Sequence, residues 1–118
     1  MEPLTESATS TELHLDITPS ADGGVRVAVH GDIDMATSDD FSETVMRLVA
    51  DPAVTRVVLD AADLGFIDSN GVTVLVKAQR AAGERGIPFR VTGIQDPIRG
   101  LFEMLGVYEM LTGADLTG

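Results

Sequence analysis

Alternating apolar and polar residues near the start of the chain predict a β-hairpin. Residues 13–18 and 25–30 each alternate in this way, as half-buried strands do. Residues 19–24 between them consist of Pro, Ser, Ala, Asp and two Gly, a composition that favours a turn. A turn centred on residues 21 and 22 would place His14 directly opposite His30.

Apolar residues at helical spacing and short apolar runs predict the remaining elements. Phe41 and Val45 begin one helical stripe, which ends before Pro52 because the residue preceding a proline disfavours helical geometry. Asp96 followed by Pro97 has the form of an N-cap and a first helical position. After the hairpin we predict a helix up to residue 51, a strand at about 55–61, a helix at about 70–84, a strand at about 87–92, a helix from residue 97, and a segment at 107–112 that fits either a helix or a strand.

This order of elements predicts one α/β domain with a mixed sheet. A hairpin is antiparallel, whereas strands joined through helices are parallel and have right-handed crossovers. The length of 118 residues suits a single domain. The turns at residues 31–38 and 66–71 follow strands of the parallel type. They are therefore predicted at the same edge of the sheet, where α/β folds tend to bind ligands.

Composition excludes several classes of function. A formal net charge of −11, with only eight Lys and Arg residues, argues against nucleic-acid binding. The negative charge favours association with basic patches on partner proteins, or simply maintains solubility. The absence of Cys excludes disulfides and thiolate sites. No apolar run approaches the ~20 residues of a membrane helix, and residues 1–11 lack the features of a secretory signal. We therefore expect a flexible N-terminal tail at 1–11, a domain at 12–118, and a cytoplasmic protein that makes no membrane contact.

A cluster of small polar residues interrupts the apolar pattern at Asp68-Ser69-Asn70-Gly71. It lies where a strand ends and a helix begins, so unpaired backbone N–H groups and the positive end of the helix dipole favour an anion there. Ser69 fits an ordinary helix N-cap. It also fits a hydroxyl that carries phosphate at little local cost, since the dianion would face those N–H groups. The local pattern leaves both roles open.

Three stretches of the sequence carry a recognisable pattern: Gly31-Asp32-Ile33-Asp34 with Thr37, residues 57–71 with Asp68-Ser69, and residues 96–106. Together they resemble the STAS domains of anti-sigma-factor antagonists. They occur in the order and at the spacing of that family, and the likeness covers about residues 13–111. Asn70 stands where the family often has a second serine, and Val72-Thr73 departs from the usual continuation. Residues 96–106 resemble the C-terminal helix of the family.

The resemblance implies both a fold and a mechanism. STAS domains have a mixed sheet of four to five strands, with helices packed mainly on one face. The unphosphorylated protein would bind an anti-sigma factor with serine-kinase activity and so release a sigma factor, as partner switching in stress-responsive transcription requires. Phosphorylation of Ser69 would end that binding, and a serine phosphatase would restore it. The implied partner-binding residues are Gly31, Asp32, Asp34, Thr37, Asp68, Asn70, Gly71, Val72 and Thr73.

Two alternatives use the same region differently. A STAS domain that is not phosphorylated can serve as an adaptor subunit of a transport or signalling complex, since fold alone does not fix function. An adaptor needs no hydroxyl at the helix start, so the Asp68-Ser69 pair weighs against it. A small-nucleotide-binding domain would also use the helix N-terminus, but neither glycine fingerprint for phosphate occurs in the chain.

The other polar residues have ordinary structural explanations. His14 and His30 would form a cross-strand pair, but the spacing supplies no third metal ligand. A group of aspartates between the second strand and the first helix could bind Mg²⁺, or could place favourable charge near the helix start. Since no nucleophile, base and oxyanion donor can be assembled, we predict a binding protein without catalytic residues, metal or cofactor. The aspartates concerned are Asp32, Asp34, Asp39 and Asp40.

Overall fold

A four-stranded mixed sheet is the frame of the chain in the computed structural model, which describes residues 13–113. Four helices accompany it within that range, and none of them is long and apolar enough to cross a membrane. The predicted N-terminal tail at residues 1–11 lies outside the described residues. The elements are β1 Leu13–Pro19, β2 Gly24–Ile33, α1 Ser38–Ala50, β3 Arg56–Ile67, α2 Ser69–Glu84, β4 Phe89–Thr92, α3 Ile98–Met104 and α4 Tyr108–Thr112.

The strands lie in the order β1-β2-β3-β4. β1 pairs antiparallel with β2, whereas β3 runs parallel to both β2 and β4. His14 lies opposite His30 in the hairpin, which confirms the predicted register. The predicted α/β class and mixed sheet are also confirmed, with four strands among the described residues.

The helices cover one face of the sheet. Val27 and Leu59 point to that face and are completely buried, whereas the residues next to them along each strand are partly or largely exposed. Phe41 of α1, Leu75 of α2 and Phe102 of α3 are buried in the same core. Burial of an apolar side chain of this size contributes about 1.5–3 kcal/mol each, so this layer holds the helices on the sheet.

β2 and β3 extend further than the alternation of residues predicts. β2 continues to Ile33 and β3 to Ile67, where the sequence suggested ends near residues 30 and 61. The β2–β3 register shifts on both sides of residues 30–31, and Gly31 adopts a φ of 111°, a conformation that glycine accommodates without strain. This bulge interrupts the alternation of buried and exposed side chains, but the hydrogen-bonded pairing of β2 and β3 continues beyond it. The sequence pattern alone therefore placed the strand ends too early.

Two smaller details of the predicted helices also differ. Pro97, and not Asp96, occupies the N-cap position of α3. Within the segment 107–112, which the sequence left undecided, residues 108–112 form helix α4.

Asp22 ties the hairpin turn to the start of β3. Its carboxylate accepts a hydrogen bond of 2.7 Å from the Ser20 hydroxyl and pairs with the guanidinium of Arg56 at 3.1 Å. The backbone N–H of Gly24 donates a third bond of 3.0 Å. These donors stabilise the ionised form and hold the pKa of the Asp22 carboxyl well below its usual range.

Candidate partner-binding site at the start of helix α2

Asp68, and not Ser69, caps helix α2. Asp68 has extended backbone geometry, and its Oδ1 accepts a hydrogen bond of 2.9 Å from the backbone N–H of Gly71. This is the geometry of a helix N-cap. Ser69 is therefore the first residue within the helix, and the interpretation of Ser69 as a plain N-cap is wrong.

The side chain of Ser69 is exposed and is left available by this arrangement. Its hydroxyl forms no hydrogen bond with any of residues 13–113, whereas the hydroxyl of Thr73 one turn later donates to the Ser69 carbonyl at 3.0 Å. The backbone N–H groups of Ser69 and Asn70 lie ahead of the first helical hydrogen bond, which Val72 donates to the Asp68 carbonyl. An anion at Ser69 would face those two N–H groups and the positive end of the helix dipole.

The ends of β2 and β3 bring the two predicted turns together. Asp32 pairs with Phe66 and Ile33 with Ile67, so the residues that follow both strands leave the sheet at one edge. The backbone N–H of Asp68 donates to the Ile33 carbonyl at 3.0 Å and fixes the Ser69 turn to the end of β2. The prediction that residues 31–38 and 66–71 share an edge of the sheet is confirmed.

The loop after β2 is held by the buried hydroxyl of Thr37. This oxygen accepts a hydrogen bond of 2.9 Å from the Asp34 backbone N–H and donates one of 2.9 Å to the Asp32 carbonyl. The Asp34 carboxylate accepts from the Ala36 N–H at 2.9 Å, which makes an Asx turn. Thr37 is completely buried, so it shapes this loop from beneath and presents no surface of its own.

Gly71 provides the close contact between α2 and the strand ends. A Cβ added there would lie 2.6 Å from Ile67 Cγ1 and 2.8 Å from Ile33 Cγ2. Only a residue without a side chain allows the helix to begin this close to the sheet. Gly71 thus positions the turn that carries Ser69.

The residues predicted for partner binding divide by exposure. Thr37, Gly71 and Val72 are buried and can act only by supporting the turns. Ser69, Asn70 and Thr73 are exposed, and the intermediate group consists of Gly31, Asp32, Asp34 and Asp68. The sheet edge around Ser69 is therefore acidic on the side of the two strand ends.

Two exposed apolar side chains flank the site and were missed from the sequence. Met35 in the loop after β2 is 80% exposed, and Phe66 near the end of β3 is 50% exposed. Both side chains are accessible to a partner that covers the two turns. The available signal was that both lie within the predicted turns, where a core residue is not expected.

The histidines form surface pairs, and the remaining aspartates lie at the start of a helix. The His14 and His30 rings lie 5.8 Å apart, and Asp16 contacts both, at 2.8 Å and 3.2 Å. Asp39 and Asp40 lie in the first turn of α1, where negative charge is favourable. Within the part of the chain that the structure describes, no three His, Asp or Glu side chains cluster as a metal site requires.

Comparisons with known proteins agree with this fold. Residues 17–112 match the family described as "Mlab, STAS domain". An anti-sigma F factor antagonist from Paenibacillus polymyxa is 27% identical over 94 residues, which span 75% of this chain and 76% of that protein.

Solved structures of two proteins share the fold. An anti-sigma factor antagonist from Mycobacterium paratuberculosis superposes with a TM-score of 0.74 at 21% identity, over 91% of this chain and 87% of that one. The antagonist SpoIIAA in its unphosphorylated form gives a TM-score of 0.72 at 17% identity, over 80% and 83% of the two chains. SpoIIAA from Bacillus in its phosphorylated form gives a TM-score of 0.68 at 16% identity, over 84% and 88%. The family match covers most of the chain, and the chain therefore belongs to the STAS domain family.

Proposed function

We propose that the chain is an anti-sigma-factor antagonist that works as a phosphorylation-gated binding module. Its unphosphorylated form binds an anti-sigma factor with serine-kinase activity in the cytoplasm and so releases the sigma factor. Membership of the STAS family and the name of the Paenibacillus relative support this class of function, a regulatory binding domain and not an enzyme. The observation that carries the proposal is the exposed Ser69 hydroxyl, which makes no hydrogen bond with the described residues because Asp68 caps the helix.

A phosphate on Ser69 would leave the fold intact. The modified side chain would remain in solvent at the helix start, where backbone N–H groups and the helix dipole favour negative charge by about 0.3–1 kcal/mol. The cap bond from Gly71 to Asp68 would be unaffected, since it does not involve Ser69. SpoIIAA, which shares the fold, has been solved in both unphosphorylated and phosphorylated forms.

The same phosphate would oppose binding. It adds about −1.5 to −2 charges to an edge that already carries Asp32, Asp34 and Asp68. A partner that covers Met35 and Phe66 would have to remove the dianion from water, and burial of an uncompensated charge is costly. Dephosphorylation by a serine phosphatase would remove this cost and restore the complex.

Phosphorylation mapping tests the proposal directly. The chain is incubated with ATP and the anti-sigma kinase encoded in the same genome, and the modified residue is identified by intact-mass and peptide mass spectrometry. We expect one phosphate on Ser69, none in Ser69→Ala, and unchanged labelling in Thr73→Val, because the Thr73 hydroxyl is bonded within the helix. Ser69→Ala should bind the kinase constitutively, and Ser69→Asp should bind it weakly.

Two outcomes would contradict this function. Phosphate at another residue, or none at all, would exclude Ser69 as the acceptor. Copurification with a transport ATPase or permease would instead support an adaptor subunit, provided that Ser69→Ala behaves like the chain with the original sequence.

A further inference from the structure

A groove of about 350 Å³ runs beside α2 and begins at Ser69. Val76 on the helix forms one apolar wall, and Leu105 and Val107, between α3 and α4, form the opposite wall. Leu105 is 43% exposed although it is a large apolar side chain. We call this feature the α2 groove.

Two basic side chains, Lys77 and Arg80, also line the α2 groove. They are exposed, and neither forms an ion pair with any of residues 13–113. Four of the other six basic residues are paired with carboxylates, as Arg26 is with Asp60 at 2.8 Å and Arg99 is with Glu103 at 3.1 Å. Arg85 donates to the Val49 carbonyl, and Arg90 forms no ion pair with the described residues. The chain has eight Lys and Arg residues against nineteen Asp and Glu. Two unpaired cations beside an apolar groove are therefore a local reversal of the charge of the whole molecule.

We propose that the α2 groove binds an acidic amphipathic segment of the anti-sigma factor. An apolar side chain of that segment packs between Val76 and Leu105, and its carboxylates pair with Lys77 and Arg80. Charge complementarity selects this occupant, since an acidic segment meets attraction here and repulsion at the acidic edge formed by the strand ends. The identity of the partner rests on the proposed function.

The position of the groove also connects it to the proposed switch. Ser69 lies at one end of the α2 groove, and Arg80 follows it by eleven residues, which is about 16 Å along a helix. A phosphate on Ser69 would repel the part of an acidic segment that lies nearest to it, and at low salt, where screening is weaker, the repulsion would extend further toward Arg80. Phosphorylation would thus act on the docked segment as well as on the strand-end surface.

A peptide titration tests the chemistry of the groove without any kinase. Two synthetic helical peptides carry the same leucine stripe, flanked by glutamates in one and by glutamines in the other. Each is added to the ¹⁵N-labelled full-length chain, and amide shifts are followed by NMR. We expect the glutamate peptide to move the resonances of residues 76–80 and 105–107 and to bind roughly threefold to tenfold more tightly than the glutamine peptide, from two exposed ion pairs.

Matched charge variants locate the effect. Lys77→Gln with Arg80→Gln should remove the preference for glutamate, whereas Arg47→Gln with Arg90→Gln, which changes the net charge equally outside the groove, should keep it. All four positions are exposed, so these substitutions should leave the fold intact. The amide spectra of the variants check that they do. Equal binding of the two peptides, or shifts confined to other surfaces, would overturn the proposal.

Two other occupants of the groove are separate outcomes, and each would also overturn it. Shifts of residues 76–80 that depend on protein concentration alone would identify a second copy of the chain as the occupant. Shifts produced by replacing Glu2, Glu6 and Glu12 with glutamine would identify the N-terminal segment of the same chain.

The proposed function can fail independently. With the anti-sigma kinase from the same genome, labelling of Ser69 together with unchanged affinity of the Lys77→Gln, Arg80→Gln variant would refute the groove proposal and support the proposed function. Glutamate-dependent peptide binding without Ser69 labelling would refute the phosphorylation switch and support an acidic segment in the groove.

Discussion

Replacement of Gly71 by alanine tests how the strand ends position the Ser69 turn. The new Cβ would lie 2.6 Å from Ile67 Cγ1, 2.8 Å from Ile33 Cγ2 and 3.0 Å from Ile67 Cδ1. Ile33 and Ile67 are at most 2% exposed, so neither side chain has open space to enter. The first turn of α2 must therefore move away from the sheet, or both isoleucines must leave their preferred rotamers.

The magnitude follows from two opposing effects. Overpacking of a well-packed core costs about 1–3 kcal/mol. Alanine recovers up to about 1 kcal/mol of helix propensity relative to glycine. We expect Gly71→Ala to lower the free energy of unfolding by about 1–2 kcal/mol, which corresponds to a fall in Tm of roughly 4–8 °C per kcal/mol for a domain of this size.

Urea unfolding followed by circular dichroism measures this loss, and Gly83→Ala is the matched control. Gly83 lies in the same helix, but a Cβ there meets nothing within 4 Å, so the same substitution should leave stability unchanged or raise it by up to about 1 kcal/mol. In a double-mutant cycle, Ile67→Ala should relieve the clash and give a coupling energy of at least about 0.5 kcal/mol. A Gly71→Ala protein as stable as the unmodified chain would refute the close-contact reasoning.

Two further predictions concern the loop after β2 and the hairpin turn. Thr37→Val keeps the buried volume but leaves the Asp34 N–H without its acceptor, so the free energy of unfolding should fall by about 1–3 kcal/mol and amide exchange at Asp34 should accelerate; normal exchange at that amide would contradict this role. The pKa of Asp22 is lower in the folded protein than in the unfolded chain, so its stabilisation is present above the unfolded value near pH 4 and is lost as the pH falls toward the folded value. Asp22→Asn should therefore be less stable than the unmodified chain at pH 7, and this difference should shrink on acidification; a difference independent of pH would exclude the linkage.

The sequence correctly predicted the elements in which buried and exposed residues follow a regular pattern. The register of the hairpin followed from alternation and a short turn, so His14 was correctly placed opposite His30. The shared edge of the two turns followed from the direction of parallel strands. These features depend on local periodicity and on general rules of topology, and both can be read from one chain.

The cap of α2 could not be assigned in the same way. Asp68 and Ser69 are both favourable N-cap residues, so local propensity does not choose between them. The choice is made by the bond from the Asp68 N–H to the Ile33 carbonyl, which fixes where the helix begins. The α2 groove was likewise missed, because Lys77 and Leu105 are brought together only by tertiary packing, in which α4 contacts α2 and α3 contacts α4.

The separation of roles between Asp68 and Ser69 explains how a switch can operate here without a cost in stability. If Ser69 were the N-cap, phosphorylation would alter the bond that begins the helix, and loss of such a cap costs about 0.5–2 kcal/mol. With Asp68 as the cap, the bond to Gly71 persists whatever is attached to Ser69. Under the proposed function, phosphorylation then changes the free energy of partner binding, through the charge that it adds beside Asp32 and Asp34. The fold itself remains unchanged.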